Sequence, residues 1–408
     1  MKKLYVSAIV VLAGYGVADA SGWRIPEQSM NSVARSGGYV AYTPAADAAY
    51  YNPANMSWLE DRGALEIDAT WIRLSSITYE DNRSSLYDGT SEEEDFFLPT
   101  FFAVSPYYGN FRFGFSLTAP GGLSKQWQDP FPRTTAEEFS LKIFEANPSV
   151  SYSFCDHFSL GIGARAVYTD GKVKSNGTLS SGYTLSRDME GDALDAGYNL
   201  ALTTRPLDNL SLAATYRSKV DLNVSGSAEL ATSAAGSTYS GDSDVTIPLP
   251  AVLSFAAAYT FFDNLTVELE YERTYWSEYE YLDFNYPVSL INPILTAAFD
   301  APLYRNWSDT DTYRISMEYV FTNGLVLMAG FAIDENPAPE ETVSFELPDS
   351  DARLYSIGFR YPVSEDMEIG IAYLYDGKED RDVEHTTING SFSDAAAHLV
   401  TIGFSLKL

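Results

Sequence analysis

Basic residues are scarce in this 408-residue sequence: 26 Lys and Arg stand against 56 Asp and Glu, which gives a formal net charge of −30. A protein that binds nucleic acid needs basic patches to neutralise phosphates. We therefore expect no nucleic-acid partner. A chain this acidic can still enter a membrane, provided that its carboxylates lie in loops or in a lumen and not on the lipid face.

Cysteine and histidine are also rare. The single cysteine, Cys155, excludes an internal disulfide. The three histidines, His157, His385 and His398, lie in separate segments without the spacing of a zinc motif. We therefore expect no metal site, no cofactor, no catalytic residues and no enzymatic activity.

The sequence has no long hydrophobic run after its N-terminal residues. No segment of this later part approaches the roughly 18 apolar residues of a transmembrane helix. Hydrophobic residues nevertheless make up 45% of the chain, with 29 Tyr and 23 Phe. A soluble secreted all-β protein could have this composition. So could an outer-membrane barrel, whose apolar residues occupy alternate positions and raise no hydropathy peak.

The first twenty residues have the layout of a secretory signal. Lys2 and Lys3 precede an apolar stretch at 4–17, and Ala18-Asp19-Ala20 follows as a small-residue cleavage site. We expect residues 1–20 to be removed, so that the mature chain begins at Ser21.

Alternation of apolar and polar residues dominates the rest of the sequence. In 210–224, Leu, Val, Ala and Tyr recur on one face, interrupted only by Ser218, and in 265–281 Glu268, Glu270 and Glu272 occupy the face opposite Leu, Val and Tyr. Strands of soluble sandwiches rarely exceed about 10 residues, and a sandwich would not bury three glutamates side by side. These segments indicate long barrel strands with one apolar and one wet face.

Such segments occur fourteen times, at about 63–79, 96–107, 110–119, 143–154, 157–170, 191–205, 209–225, 249–262, 264–283, 309–322, 324–334, 351–362, 366–378 and 395–408. Short turns alternate with long connections at 80–95, 120–142, 171–190, 226–248, 284–308, 335–350 and 379–394. Because open strand edges are costly in lipid, the last strand is expected to pair with the first. The sequence therefore predicts an all-β protein whose residues 63–408 form a 14-stranded antiparallel transmembrane β-barrel.

Residues 21–62 lack this alternation and contain the triplet Asn52-Pro53-Ala54. About 40 residues cannot form a core alone, yet the segment has too many large apolar groups for a disordered tail. The simplest place for it is the lumen, as a hatch. Asn52 can bond neighbouring backbone and Pro53 fixes its own φ, so the triplet is expected to hold one hatch conformation.

The stretch from Ser21-Gly22-Trp23 through Asn52-Pro53-Ala54 resembles the hatch of the FadL/TodX family of outer-membrane transporters. Further similar segments are "TAPGGLSKQW" (118–127), "GIGARAVY" (161–168), "LAATYRSKVDLNVSG" (212–226), "RNWSDTDTYRI" (305–315), "GFAIDENPAPEETVSFELPDSDA" (330–352) and "GIAYLY" (370–375). The resemblance implies a hatch-plugged barrel in the outer membrane of a Gram-negative bacterium. It also implies passive uptake of long-chain fatty acids or apolar aromatic hydrocarbons.

The resemblance also implies ligand-binding residues. Ligand is expected to land on the apolar outer loops, chiefly 284–308 and 120–142, and to enter a pocket beside the hatch N-terminus. Arg305 aligns with a basic residue near the ligand carboxylate, and a second basic position falls on Ser175, for which Lys174 could substitute. In the alternative interpretation, Arg305 pairs with Asp300 or Asp309. The candidate binding residues are Arg305, Lys174, Trp23, Leu290, Ile294 and Phe299.

Family members release ligand sideways through a gap at a kinked third strand. Here that strand ends in Thr118-Ala119-Pro120-Gly121-Gly122, and Pro and Gly both weaken a ladder. Ala119, Pro120, Gly121 and Gly122 are therefore the candidate lateral gate. The alternative is that Pro-Gly-Gly simply starts the loop.

Two further functional classes remain as alternatives. A general or substrate-specific porin for small polar solutes would also be a barrel, although the hatch and the apolar loop 284–308 argue against an open aqueous pore. An outer-membrane hydrolase is disfavoured by the isolated histidines. The expected partners are a hydrophobic small molecule and the lipid and lipopolysaccharide of the outer membrane, and the protein is expected to be a monomer.

Overall fold

The computed structural model describes residues 22–178, 182–236 and 238–408. The predicted signal peptide, residues 1–20, lies outside the described residues. Within the described part of the chain, no helix combines the length and the apolar character needed to cross a membrane.

Fourteen antiparallel strands form a closed barrel, as predicted. They are β1 (Ala64–Leu74), β2 (Glu94–Val104), β3 (Phe111–Gln126), β4 (Glu138–Cys155), β5 (Phe158–Thr178), β6 (Thr184–Leu207), β7 (Leu210–Arg217 and Val220–Thr232), β8 (Tyr239–Leu249 and Val252–Phe261), β9 (Leu265–Thr274, extended by Phe284–Asn285), β10 (Thr310–Val320), β11 (Val326–Asp334), β12 (Ala352–Pro362), β13 (Met367–Lys378) and β14 (Ala396–Lys407). β14 pairs with β1 from Ala64↔Lys407 to Leu74↔Ala397. This pairing removes the open edge that lipid would not tolerate.

Several predicted boundaries were wrong at the end of the barrel that carries the long connections, here called the loop end. The predicted connections 120–142, 171–190 and 226–248 are largely strand, because β3 to β8 continue well past the predicted limits. The first predicted segment, 63–79, instead stops at Leu74.

Short elements cover the loop end. Strands Thr78–Asp81, Gly89–Thr90, Arg381–Glu384 and Asn389–Ser393 form a separate four-stranded sheet. Tyr79, Trp127, Phe345 and Phe392 pack beneath it in an apolar cluster. The other short elements of this end are α3 (Arg133–Ala136), α4 (Pro293–Phe299), the 3₁₀ turns Trp276–Glu278 and Glu340–Thr342, and the pair Tyr281–Leu282 and Leu303–Tyr304.

The wall has a polar inner face and an apolar outer face. On β9, Glu268, Glu270 and Glu272 are buried while Leu269 between them is 58% exposed, so the glutamates face the lumen. On β14, Ile402 and Phe404 are exposed and so face outward.

The apolar side chains of β7 face outward in its first part and inward in its second part, which alternation alone did not predict. Before residues 218–219, Arg217 of β7 pairs with Asn199 of β6. After them, Ser225 pairs with Asp192, whereas an unchanged register would pair it with Gly191, so the register shifts by one residue. A one-residue shift sends every following side chain to the opposite face. Consequently Leu212 points outward, whereas Leu222 and its neighbours on the same predicted face are buried inside.

Residues 22–62 lie inside the barrel and contain α1 (Met30–Val33), α2 (Ala48–Tyr51) and the 3₁₀ helix Pro53–Trp58. Nearly all of this hatch is buried. Its C-terminal part lies at the end with the short turns, where Trp58 Nε1 donates to the Asp156 carbonyl, whereas its N-terminal Trp23 packs in the apolar cluster of the loop end.

Candidate functional site

The hatch is held by charged groups on the wall. The Glu268 carboxylate accepts hydrogen bonds from the backbone N–H groups of Val40, Ala41 and Tyr42, at 2.6, 2.8 and 3.0 Å. It also pairs with the Arg35 guanidinium at 3.1 Å. A carboxylate that accepts from three backbone donors and pairs with a buried cation fixes this segment of hatch at one position.

The Asn52-Pro53-Ala54 triplet packs against β5 and β6 of the barrel wall. The Asn52 Oδ1 accepts from the Ala54 N–H and so caps the 3₁₀ helix, while its Nδ2 donates to the Val40 carbonyl and to Thr203 Oγ1 on β6. A Cβ on Gly161 of β5 would lie 2.5 Å from the Ala54 nitrogen. Only glycine at this wall position lets the triplet approach so closely.

The Pro-Gly-Gly segment does not start a loop, because β3 continues to Gln126. It forms a bulge, since the pairing of β3 with β4 shifts register between Thr118 and Gly121. The hatch supplies the missing partners of this segment. Ala119 exchanges two hydrogen bonds with the Gln28 amide, and the Pro120 carbonyl accepts from the Ile25 N–H at 3.0 Å.

Beside this bulge the barrel wall is open. The ladder between β2 and β3 runs only from Phe101↔Leu117 to Val104↔Gly114. The two strands next meet near the loop end, where the Glu92 N–H donates to the Gln126 carbonyl at 2.9 Å. The β2 and β3 residues between these points leave a window in the wall.

A cavity of about 340 Å³ occupies this window. Ile72, Ile143 and Leu374 line it from inside the barrel, as do three of the four predicted gate residues, Ala119, Gly121 and Gly122. It is also lined by Phe97 and Phe144, which are 68% and 44% exposed on the lipid-facing side. The cavity, here called the lateral cavity, therefore passes through the wall between β2, β3 and β4.

A second, smaller cavity of about 30 Å³ lies nearer the loop end and contains two predicted binding residues, Arg305 and Trp23. We call it the outer cavity. It shares Leu123, Leu141, Glu346 and Leu347 with the lateral cavity, so a thin partition of three leucines and one glutamate separates the two.

Aromatic rings surround the outer cavity. The Trp23 ring lies 4.5 Å from that of Trp276 and 5.0 Å from those of Tyr279 and Trp307, measured between ring centroids. Edge-to-face contacts of this kind stabilise the cluster beyond simple area burial. They tie the hatch N-terminus to the loop-end elements.

Arg305 is buried beside these rings. Its Nη1 donates to Ser344 Oγ at 3.0 Å, while its Nε has no acceptor among the described residues. Asp309, one of the two carboxylates considered as its partner, instead pairs with Arg273 at 3.3 Å. A buried guanidinium with an unused donor is suited to a carboxylate or another oxyanion.

Lys174 does not join Arg305 at this cavity. It pairs with Asp188 at 2.9 Å and keeps 31% of its side chain exposed. The cation that approaches Arg305 is Arg187, which lies on β6 directly opposite Ser175 and is buried against Phe284 and Phe299. The basic side chain beside the aligned position Ser175 therefore comes from the neighbouring strand.

The apolar residues of 284–308 divide between packing and exposure. Leu290 is 8% exposed, and Ile294 and Phe299 are half-buried, with Leu290 and Phe299 in the large apolar cluster of the loop end. Val288 and Ile291 are the exposed members, at 66% and 81%. The structure thus shows Leu290 and Phe299 packed in the loop-end cluster, and the exposed apolar surface lies on Val288 and Ile291.

Comparison with known proteins gives the family. The family model described as "Outer membrane protein transport protein (OMPP1/FadL/TodX)" matches residues 10–406. Outer membrane protein P1 of Haemophilus influenzae is 24% identical, over 88% of this chain and 86% of that protein. The long-chain fatty acid transport protein of Salmonella typhi is 22% identical, over 83% of each chain.

A solved structure has the same fold. The crystal structure of a Pseudomonas aeruginosa FadL homologue superimposes with a TM-score of 0.84 at 18% identity, covering 95% of this chain and 99% of that one. With the match to the family model over nearly the whole chain, the sequence and the barrel lead to one conclusion. The protein belongs to the OMPP1/FadL/TodX family of outer-membrane transport proteins.

Proposed function

We propose that this protein takes up hydrophobic molecules passively, from the loop end through the outer and lateral cavities and then sideways into the bilayer. The observation that carries the proposal is the lateral cavity, which has lumen-facing and lipid-facing residues in one lining. Its volume of about 340 Å³ falls within the usual range of ligand pockets.

The driving force is transfer from water to apolar surface. Each Å² of apolar area removed from water contributes roughly 25 cal/mol. Exposed Val288 and Ile291 offer a first apolar contact at the loop end, and the aromatic cluster around Trp23 lies next on the path. Uptake down such a gradient requires neither a nucleotide nor an ion.

We further propose that the cargo includes amphiphiles with a carboxylate, such as long-chain fatty acids. Buried Arg305 beside an apolar cavity supports this choice, as does the name of the Salmonella typhi relative. Apolar aromatic hydrocarbons are the second candidate, favoured by the ring cluster of Trp23, Trp276, Tyr279 and Trp307. A porin for small polar solutes is not favoured, because the hatch fills the lumen.

Closing the window tests the route. A Cβ added to Gly121 would lie 3.1 Å from Ile143 Cδ1 and 3.2 Å from the Trp23 carbonyl oxygen, and one on Gly122 would lie 3.3 Å from the Leu141 carbonyl. The double variant Gly121→Val, Gly122→Val should therefore obstruct the lateral cavity. We expect uptake of radiolabelled hexadecanoate and hexadecan-1-ol by cells to fall to the background of cells without the protein.

The control is Gly171→Val on β5, where the nearest atom to an added Cβ is 3.8 Å away. It should leave uptake intact. Heat-modifiable migration in gels must show that both variants assemble. Parental uptake rates in the double variant would reject the lateral route.

A further inference from the structure

Lys125 lies on β3, four residues beyond the bulge, and lines the lateral cavity. It is only 5% exposed. Its ammonium group has three donors, yet its hydrogen bond to a described residue is one long contact of 3.5 Å to Ser91 Oγ. A buried cation with so few acceptors is costly unless an anion approaches it.

The other inward-facing cations of this cavity are better partnered. Arg24 pairs with Glu272 at 2.9 Å, and Lys378 forms a close ion pair with Asp349. Lys125 differs from both, since no described carboxylate lies within 4.0 Å of its Nζ. The nearby carboxylate of Glu94 instead accepts from Ser124 Oγ across the window.

Charged side chains are unevenly partnered in the lining of this cavity. Lys125 has Glu94 and Lys378 as its charged neighbours, and Lys378 is itself paired with Asp349. Glu27, which also lines the cavity, has Arg314, Asp376 and Asp334 around it. Lys125 is therefore the cation near which an anionic head group is favoured, whereas the carboxylates of Glu27, Glu346, Asp349 and Asp376 disfavour an anion elsewhere, and the remaining lining is mainly apolar.

We propose that Lys125 is a second anion-binding position, which holds the anionic head group of an amphiphile while its hydrocarbon part lies toward Phe97 and Phe144. This inference rests on the proposed function, because it assigns the lateral cavity to the exit path. Arg305 would bind the head group in the outer cavity and Lys125 would bind it in the lateral one. The anion is a carboxylate from the cargo or the anionic head group of a membrane lipid, since both offer the same charged oxygens.

The test compares Lys125→Met with the parent protein, using purified protein and equilibrium binding of hexadecanoate and hexadecan-1-ol. A charge-assisted hydrogen bond contributes about 1.5–3 kcal/mol, so affinity for hexadecanoate should fall by about tenfold to a hundredfold. Affinity for the alcohol should stay the same. Lys125→Arg should restore most of the hexadecanoate affinity.

Lys219→Met is the matched control, because it removes the same charge from a partly exposed site with its own ion pairs to Asp221 and Glu278. It should leave both affinities unchanged. Unchanged hexadecanoate binding in Lys125→Met would overturn the proposal, and so would equal loss for acid and alcohol. If the parent takes up neither molecule in cells, the proposed function fails; if it takes up both and Lys125→Met binds both normally, only the role of Lys125 fails.

A second arm identifies the source of the anion. The parent and Lys125→Met are reconstituted in phosphatidylcholine vesicles with or without phosphatidylglycerol. Competition between phosphatidylglycerol and hexadecanoate that disappears in Lys125→Met would identify a lipid head group as a ligand of the same position. Hexadecanoate binding that depends on Lys125 but is insensitive to phosphatidylglycerol would identify the cargo carboxylate as the ligand.

Discussion

At the residue scale, the buried charged side chains of the lumen differ in how many hydrogen-bond and ion-pair partners they have. Glu268 is fully satisfied by three backbone donors and Arg35, which suits a group that holds the hatch. Arg305 and Lys125 each retain unused donors beside an apolar cavity, which suits groups that meet a ligand. An unused donor beside a cavity distinguishes these ligand-binding candidates, since Arg314 also has an unpaired Nε but is held by Glu270 and Glu272.

Arg305→Ala should weaken binding of hexadecanoate by about tenfold to a hundredfold, because one charge-assisted hydrogen bond of roughly 1.5–3 kcal/mol is lost. Hexadecan-1-ol should bind almost as before. Arg187→Ala should act in the same direction and Lys174→Ala should not, since Arg187 approaches Arg305 and Lys174 pairs with Asp188. Equilibrium binding to the purified variants decides this. Loss of acid and alcohol alike would mean that Arg305 only shapes the loop.

At the scale of elements, the N-terminal part of the hatch and the bulge of β3 form one unit. The bulge leaves backbone groups without strand partners, and residues 23–28 supply them through Trp23, Ile25 and Gln28. Any movement of this hatch segment would therefore expose polar groups of β3 and change the window. The stability of the segment is thus linked to the state of the window.

Glu27 makes that stability depend on pH. Burial raises the pKa of Glu27 from 4.5 to about 7, with Arg314 opposing the rise and Asp376 adding to it. At pH values between 4.5 and about 7, Glu27 is protonated more often when the hatch segment is docked on β3 than when it is released. Docking should therefore weaken as the pH rises from about 4.5 to 7 and change little above that range.

Hydrogen exchange of residues 22–29, corrected for intrinsic rates, should show less protection at pH 8 than at pH 5. Glu27→Gln should remove most of this difference. Glu60→Gln is the control, because Glu60 is a hatch glutamate whose side chain is 64% exposed, and it should keep the difference. Persistence of the full pH effect in Glu27→Gln would place its origin in another group.

At the scale of the whole molecule, the two ends of the barrel are built differently. One end has turns as short as Asp156-His157 between β4 and β5, and the other has the four-stranded cover sheet. In outer-membrane barrels the short turns face the periplasm. Exposed Cys155 at a short turn offers a direct test of orientation.

A membrane-impermeant maleimide added to intact cells should leave Cys155 unlabelled. Labelling should appear once the outer membrane is opened. In the Cys155→Ser background, Ser85→Cys on the exposed loop between β1 and β2 should label from outside. Labelling of Cys155 on intact cells would reverse the orientation of the barrel.

Alternation was enough to predict the transmembrane part of the strands and the inward glutamates of β9. Alternation did not predict that β5 and β6 continue beyond the apolar pattern. In β5 this continuation includes Asp170, Lys172 and Lys174. A strand that rises above lipid needs no apolar face, yet its backbone still pairs with its neighbour. We therefore infer that the apolar pattern ends where the lipid contact ends, whereas the backbone pairing between β5 and β6 continues beyond it.

The sequence by itself determined the fold class, the polar lumen and the need to fill it, because a period of two over many residues has few other physical outcomes. Only the tertiary structure decided which side chains meet in the cavities. Arg187, and not Lys174, lies against Phe284 and Phe299 because strand register places it opposite Ser175. The inward turn of Leu222 depends on a one-residue shift in pairing, and the window depends on the hatch bonding to β3. Register and contacts between distant segments are properties of paired strands, and no single segment contains them.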